Sequence, residues 1–349
     1  MNRRHFIASA AATPWAIAGC VHRPSGGAGW KQLAPLPNPL GLAAPFAGVS
    51  NDTLLVAGGA NFPNGFPWEN GKKVWHDTVY KLESFDGAWS VAGRLQRPLA
   101  YGVSINTPQG LVCVGGSDAV RHYPGTFRLF TTGDSLRVEP MPALPVPIAN
   151  AAGALVGQHI VVCGGSSAPG EKSALDKTWL LDLTKESAGW RELKKLPAEP
   201  RFLSVAAADG DDFYLFGGVG LAIHERTISR VYLRDVWRLR FGQGWERLAD
   251  MPGPLAAAPS PAPVVGDEIL LLPGDDGSRF GFQPAEKHPG FPRRMMAYNI
   301  GRNTWREAGV APFAHVTTPC VHWRGRHIVP SGEVRPGVRS PEVWSLIQP

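Results

Sequence analysis

Short apolar runs that end in a glycine pair, or a variant of one, recur along this chain. They are LLVAGG ending at Gly59, LVCVGG at Gly116, IVVCGG at Gly165, FYLFGG at Gly218, ILLLPG at Gly274 and HIVPSG at Gly332, at intervals of 49 to 58 residues. Each run has the length of a strand rather than a helix. A second phrase follows each time: an apolar strand such as DTVYKLE (Asp77 to Glu83), LDKTWLLDL, RDVWRLR or PEVWSLI, then a turn, then a tryptophan. Trp89, Trp190, Trp245 and Trp305 hold that place in four units, and in the unit ending near Glu139 the stretch SLRVEPMPALP carries the pattern without one. Repeats near 50 residues built from short strands read as kelch blades of a β-propeller rather than a β-sandwich array. Lettered from the centre outward, each blade has strand a before the glycine run, b the glycine run, c the VYKL-type strand and d the tryptophan strand.

The two ends complete one another. WKQLAPLP (Trp30 to Pro37) is a d strand with nothing before it, and VWSLI (Val343 to Ile347) is a c strand with nothing after it. The expected fold is therefore an all-β, six-bladed kelch-type propeller over residues 30–349, its ring closed by pairing of the N-terminal with the C-terminal strand, which removes the open edges. The 41 Gly, 33 Pro and 12 Trp suit short strands and turns, and no linker divides the blades into two domains.

Residues 1–19 read differently. Arg3 and Arg4 precede an apolar stretch, Ala8 to Ala18, too short to span a bilayer, and Ile17-Ala18-Gly19-Cys20 closes it. The pattern predicts an export signal with twin-arginine character, a lipobox with lipid attachment at Cys20, a tether over residues 20–29, and a periplasmic or cell-envelope location; the alternative is a plain cleaved signal. Cys113, Cys163 and Cys320 then read as three buried thiols, a Cys113–Cys163 disulfide being the alternative. No CxxC or HxxxH spacing points to a metal, and neither metal nor cofactor is expected.

Antiparallel blades put the b-to-c and d-to-a connections on one face. The long ones, Ala60 to Trp75, Val219 to Tyr232 and Asp275 to Pro292, all lie there, whereas turns such as Asn51-Asp52 and Asp86-Gly87 join the other face. Long loops on a rigid scaffold are where binding concentrates. Cations outnumber carboxylates on the long-loop side: Lys72, Lys73, His76, Arg97, Arg121, His122, Arg201, Arg279, Lys287, His288, His315, Arg335 and Arg339 all fall on it. Most are solvated rim charges. The formal net charge of +6 is too modest and too interrupted for a nucleic-acid surface. A small acidic ligand fits better.

Blade six breaks the glycine pattern with Ser331-Gly332-Glu333, followed by Val334-Arg335-Pro336-Gly337-Val338-Arg339. A carboxylate and a guanidinium flank a Pro-Gly turn at the channel, positioned either for proton transfer and carboxylate binding or as an ion pair that steadies the turn. This SGEVRPGVR segment resembles that of the kelch-type N-acetylneuraminate epimerases, the sialic acid mutarotases, in a cyclically permuted form. FAGVSNDTLLVAGGANFP (Phe46 to Pro63) and AYGVS (Ala100 to Ser104) look like blades late in unpermuted members, and AEPRFLSVAAADGDDFYLFGGVG (Ala198 to Gly220) like an early one. The resemblance implies cofactor-free interconversion of the anomers of an acidic sugar, with Glu333 as general base and Arg339 on the substrate carboxylate; from the cations of the long-loop face, Arg97, Arg121, His122, Arg201, His315 and Arg335 are the substrate-binding candidates. Phe62, Trp68 and Tyr101 are candidates to stack on the sugar. The arginine that precedes AYGVS in unpermuted relatives is Leu99 here, with Arg97 two places earlier as its candidate substitute. Two rivals carry other functions: a sialic acid lectin or surface scaffold, and a copper-radical oxidase of the galactose oxidase type. The oxidase needs a crosslinked Tyr-Cys pair and further ligands, for which the six tyrosines offer no set.

Overall fold

The computed structural model describes residues 29–133, 135–170, 174–224 and 227–347; the signal, the lipobox and Cys20 lie outside them. Six four-stranded sheets form a ring of blades, making the protein a six-bladed β-propeller. Blade 1 carries Phe46–Ser50, Thr53–Ala57, Thr78–Leu82 and Ser90–Arg94 from the centre outward. Blade 6 is built from both ends of the chain. Val321–Trp323, Arg326–Arg335 and Val338–Ile347 supply three strands, and Gly29–Leu33 pairs antiparallel with the last of these from Gly29↔Ile347 to Leu33↔Val343. The strand expected over Trp30 to Pro37 is thus shorter, and its partner longer, than the sequence suggests.

The repeated residues are explained by contacts between blades. The first glycine of each pair lies against a backbone carbonyl of the next blade: a Cβ on Gly58, Gly115, Gly164 or Gly217 would come within 2.2 to 2.5 Å of the carbonyl oxygen of Leu99, Ile148, Arg201 or Leu255. The second glycine donates its N–H to the same oxygen, at 2.9, 2.8, 2.8 and 2.8 Å. In blade 6 the first position is Ser331, at φ 61°. Its Oγ takes over the docking, accepting the N–H of Leu42 in blade 1 at 2.7 Å and lying 2.6 Å from the Ser340 carbonyl. The tryptophans bind in the other direction. Indole N–H groups of Trp89, Trp190, Trp245 and Trp305 donate to Ala34, Pro142, Lys194 and Ala249 carbonyls at the end of the preceding blade's outer strand. Trp30, the fifth of the series, instead packs edge-on against Phe313, ring centroids 4.9 Å apart. Blade 2, which lacks the tryptophan, pairs Thr126–Thr132 with Ser135–Met141 over seven residue pairs.

One expected loop is not a loop. Val219 to Tyr232 continues the strands Asp212–His224 and Thr227–Arg240 as a hairpin beyond the blade. Its arms pair Val219 with Tyr232 and Gly220 with Val231, residues that suit a pleated ribbon, so length alone misled. Cys113, Cys163 and Cys320 are buried free thiols, without the disulfide alternative.

Candidate functional site

A closed ring of backbone hydrogen bonds forms the floor of the site. One residue per blade, at the entry to strand a, adopts a left-handed conformation: Ala44, Tyr101, Asn150, Leu203, Ala257 and Thr317, with φ from 48° to 64°. Tyr101 N–H donates to Ala44, Asn150 to Tyr101, Leu203 to Asn150, Ala257 to Leu203, Thr317 to Ala257, and Ala44 back to Thr317, at 2.6 to 3.1 Å. The preceding residue in each blade bridges to the residue that follows the second glycine position: Ala43 to Ala60, Ala100 to Ser117, Ala149 to Ser166, Phe202 to Val219, Ala256 to Asp275 and Val316 to Glu333. Every blade therefore places one equivalent side-chain position at the mouth of the channel.

Above the ring lies a cavity of about 540 Å³. Its walls come from the long-loop face: Phe62 and Lys73 of blade 1, Arg230 and Tyr232 of blade 4, Asp275, Arg279 and His288 of blade 5, and Glu333 and Arg339 of blade 6. Beneath the ring only about 70 Å³ remains on the axis, so the cavity opens in one direction.

Glu333 and Arg339 face each other across the blade 6 hairpin as a register pair. Glu333 Oε1 accepts the N–H of Gly337 at 2.7 Å and lies 3.6 Å from Arg339 Nη1. Gly337, at φ 82°, turns the hairpin against blade 1, where a Cβ would meet Pro67 at 2.7 Å. The Arg339 guanidinium lies 4.7 Å from the Phe62 ring centroid, and its Nε and Nη1 are buried without a hydrogen-bond partner. Buried donors are ordinarily satisfied. Arg339 itself lines the cavity, next to a carboxylate and over an aromatic face.

The other sequence candidates separate. Arg201 is not in the cavity: Nε donates to Glu199 O at 2.9 Å, Nη1 to Gly217 O at 3.1 Å and Asp235 Oδ1 at 2.7 Å, and Nη2 to Asp235 Oδ2 at 2.8 Å. Its expected substrate role is corrected to a buried structural one. His315 occupies the equivalent place in blade 6, two residues before the ring, and is fully buried; Leu99 occupies it in blade 2. Neither His315 nor Leu99 lines the cavity, and Arg97 does not line it either. Arg97 and Arg121 are exposed and stack on Tyr123 at 4.7 and 5.2 Å. Arg335 reaches the Glu286 carbonyl at 2.6 Å and covers Trp68 at 5.4 Å, outside the cavity. His122, 3.2 Å from Ser166 Oγ, lines an adjoining recess of about 430 Å³ that shares Lys73, Tyr101 and Arg230 with the main cavity. Of the three candidate stacking rings, Phe62 and Tyr101 line the cavity and Trp68 does not.

Sequence reasoning passed over Asp275, Tyr232 and Arg230. The signal for Asp275 was available: in Gly-Gly-Ala, Gly-Gly-Ser, Gly-Gly-Ser, Gly-Gly-Val, Pro-Gly-Asp and Ser-Gly-Glu the residue after the glycine position is the repeat-equivalent one, and only Asp275 and Glu333 are acidic. Among the described residues no group of His, Cys, Asp and Glu is arranged to hold a metal ion.

Fold and site thus define a β-propeller with a blind, cation-rich cavity on its long-loop face. The chain is similar to the N-acetylneuraminate epimerases, whose family model matches residues 21–138. An N-acetylneuraminate epimerase of Yersinia pestis (strain Pestoides F) is 45% identical over 85 residues, 22% of this chain and 21% of that protein. One of Escherichia coli O139:H28 is 40% identical over 97 residues, 26% of each. The aligned part thus spans only about a fifth to a quarter of these relatives, and the Ser331 to Arg339 segment lies outside the family match. The solved structure of YjhT shares the fold, with a TM-score of 0.65 at 16% identity, covering 88% of this chain and 94% of that one.

Proposed function

We propose that this propeller interconverts the anomers of an acidic sugar of the N-acetylneuraminate type, in a cyclically permuted form of the epimerase scaffold. The observation that carries the reading is the Arg339 guanidinium and the Glu333 carboxylate side by side in the cavity wall, 3.6 Å apart and without a direct hydrogen bond between them. A planar fork of donors matches a carboxylate, and a 2-keto sugar acid of the N-acetylneuraminate type has its carboxylate on the anomeric carbon. Binding there brings the anomeric hydroxyl to Glu333. Glu333 takes the hydroxyl proton as the bond from the anomeric carbon to the ring oxygen breaks and an acid or water protonates that oxygen, giving the open 2-keto acid; closure on the other carbonyl face returns both protons and yields the other anomer. Lys73, Arg230 and Arg279 give the cavity the positive potential that attracts an anion. Phe62 and Tyr101 offer apolar faces to the sugar ring. The export signal and Cys20 lipobox read from the sequence extend the proposal to a protein anchored in the cell envelope.

The test is to follow α to β conversion of freshly released N-acetylneuraminate by NMR. Wild type is expected to exceed the spontaneous rate, and Glu333→Gln to lose about 10²-fold or more with sugar binding retained. A wild-type protein that binds the sugar without speeding conversion would be a lectin, and the enzymatic reading would fall.

A further inference from the structure

The six blades form an internal control at the channel mouth. The position that holds Glu333 in blade 6 holds Ala60, Ser117, Ser166, Val219 and Asp275 in blades 1 to 5, each tied to the strand entry by the same backbone bridge. The bridge makes no demand on the side chain, since methyl, hydroxymethyl and isopropyl groups serve in four blades. Asp275 is therefore not required by the blade, yet it is a carboxylic acid next to the blade that carries Glu333, and both line the one cavity. It is also held in place. Oδ2 accepts the Tyr232 hydroxyl at 2.7 Å and Oδ1 the Gly277 N–H at 3.0 Å. Gly277 in turn packs on the Tyr232 ring so closely that a Cβ would lie 2.5 Å from it. Burial, then the hydrogen bond to Asp275, push the Tyr232 hydroxyl up to about 12, so it stays protonated.

We infer that Asp275 is the second proton-transfer group of the site, exchanging a proton with the ring oxygen while Glu333 exchanges one with the anomeric oxygen. The inference rests on the anomer-interconverting reading and supplies the acid which that reading needs. In opening, the electron pair of the O–H bond of the anomeric hydroxyl becomes the carbonyl π bond and its proton goes to Glu333. The pair of the bond between the anomeric carbon and the ring oxygen stays on oxygen, which takes a proton from the Asp275 carboxyl. Closure reverses both transfers on the other carbonyl face, so protons balance and the product is an isomer of the substrate. Two carboxyl groups sharing one proton are what this cycle requires. Glu333 lies beside the Arg339 cation, and Asp275 is held by a hydroxyl that can donate to its carboxylate and accept from its carboxylic acid.

The discriminating variant is Asp275→Ser, because serine occupies the same position in blades 2 and 3. It is expected to lower the anomerisation rate about 10²-fold, to change N-acetylneuraminate affinity by less than about 3-fold, and to regain part of the rate when formate is added as a small external acid. Tyr232→Phe, which leaves the carboxyl in place, is expected to lose about 10-fold and to displace the pH profile of the rate. Asp275→Ser at the wild-type rate, with Glu333→Gln impaired, would overturn the role of Asp275 and leave the enzymatic reading standing. A rate loss with no formate rescue and a lowered melting temperature would assign Asp275 a structural role instead. Absence of any acceleration by wild type would overturn both.

Discussion

Two arginine–carboxylate pairs in this propeller are equally buried and differently used. Arg201 and Asp235 have side-chain exposures of 1% and 16%, and Arg339 and Glu333 of 3% and 17%. The first pair is bidentate at 2.7 and 2.8 Å, and the remaining Arg201 donors meet backbone carbonyls. In the second the nearest approach is 3.6 Å, and two guanidinium nitrogens have no partner. Burial therefore does not distinguish the two pairs; the count of satisfied donors does. Arg201 sits among backbone carbonyls away from the cavity, whereas Arg339 lies on the blade 6 hairpin and lines it.

The largest effect expected from this contrast is on stability. Arg201→Ala leaves Asp235 buried with only the Trp237 indole N–H for company, and breaking a buried pair in this way costs about 3–5 kcal/mol. Arg339→Ala removes a cation that was desolvated without full compensation, so its stability change should stay within about 1 kcal/mol, as is common where a site holds unsatisfied groups. Denaturant unfolding of the two variants checks this. Equal losses would mean that Glu333 and Arg339 are a structural pair like the other.

His315 sharpens the same comparison, because it stands at the Arg201 position in blade 6 with no bidentate carboxylate partner. Burial pushes its imidazole down to about 4, a backbone contact with Ser331 opposing the shift, and Glu342 approaches Nε2 to 3.6 Å from a partly exposed site. The folded state holds His315 neutral while the unfolded chain takes up a proton near pH 6.5. Its contribution is thus complete above pH 6.5 and is lost as pH falls toward 4, by roughly 3 kcal/mol. His327, also pushed down to about 4 by burial and by His322, acts in the same window. Melting temperature should fall between pH 6.5 and 4, and His315→Gln should flatten part of that fall.

Much of the fold was legible because the constraints are local and repeat. Each glycine pair marks a close approach to the next blade, four of the five outer tryptophans an indole bond to the previous one, and the unmatched strands at Trp30 and Val343 could only complete each other. The Glu333 and Arg339 pairing was legible from the Pro-Gly turn between them. What stayed hidden is which long-loop cations line the cavity: Arg279 and Arg339 do, whereas Arg201 and His315, each two residues before a left-handed strand entry, do not. Arg201 is engaged by Asp235 and by backbone carbonyls, partners that chain order does not reveal.

The smallest effect, and the finest test of the two pairs, comes from exchanging arginine for lysine in each. A lysine keeps the charge but replaces the planar fork with a single ammonium. At position 201 the fork engages both oxygens of Asp235 as well as two carbonyls, so Arg201→Lys forfeits several existing bonds and should lower the melting temperature without altering sugar affinity in the remaining folded protein. At position 339 the fork has no bidentate partner in the protein, and the proposed reading gives it the sugar carboxylate. Arg339→Lys should therefore leave melting unchanged and weaken N-acetylneuraminate binding about 10-fold, equivalent to roughly 1.4 kcal/mol. Titration calorimetry and thermal melting on both variants read the two axes separately. A binding loss at position 201 matching that at 339 would remove the distinction between satisfied and waiting donors on which the assignment of this site depends.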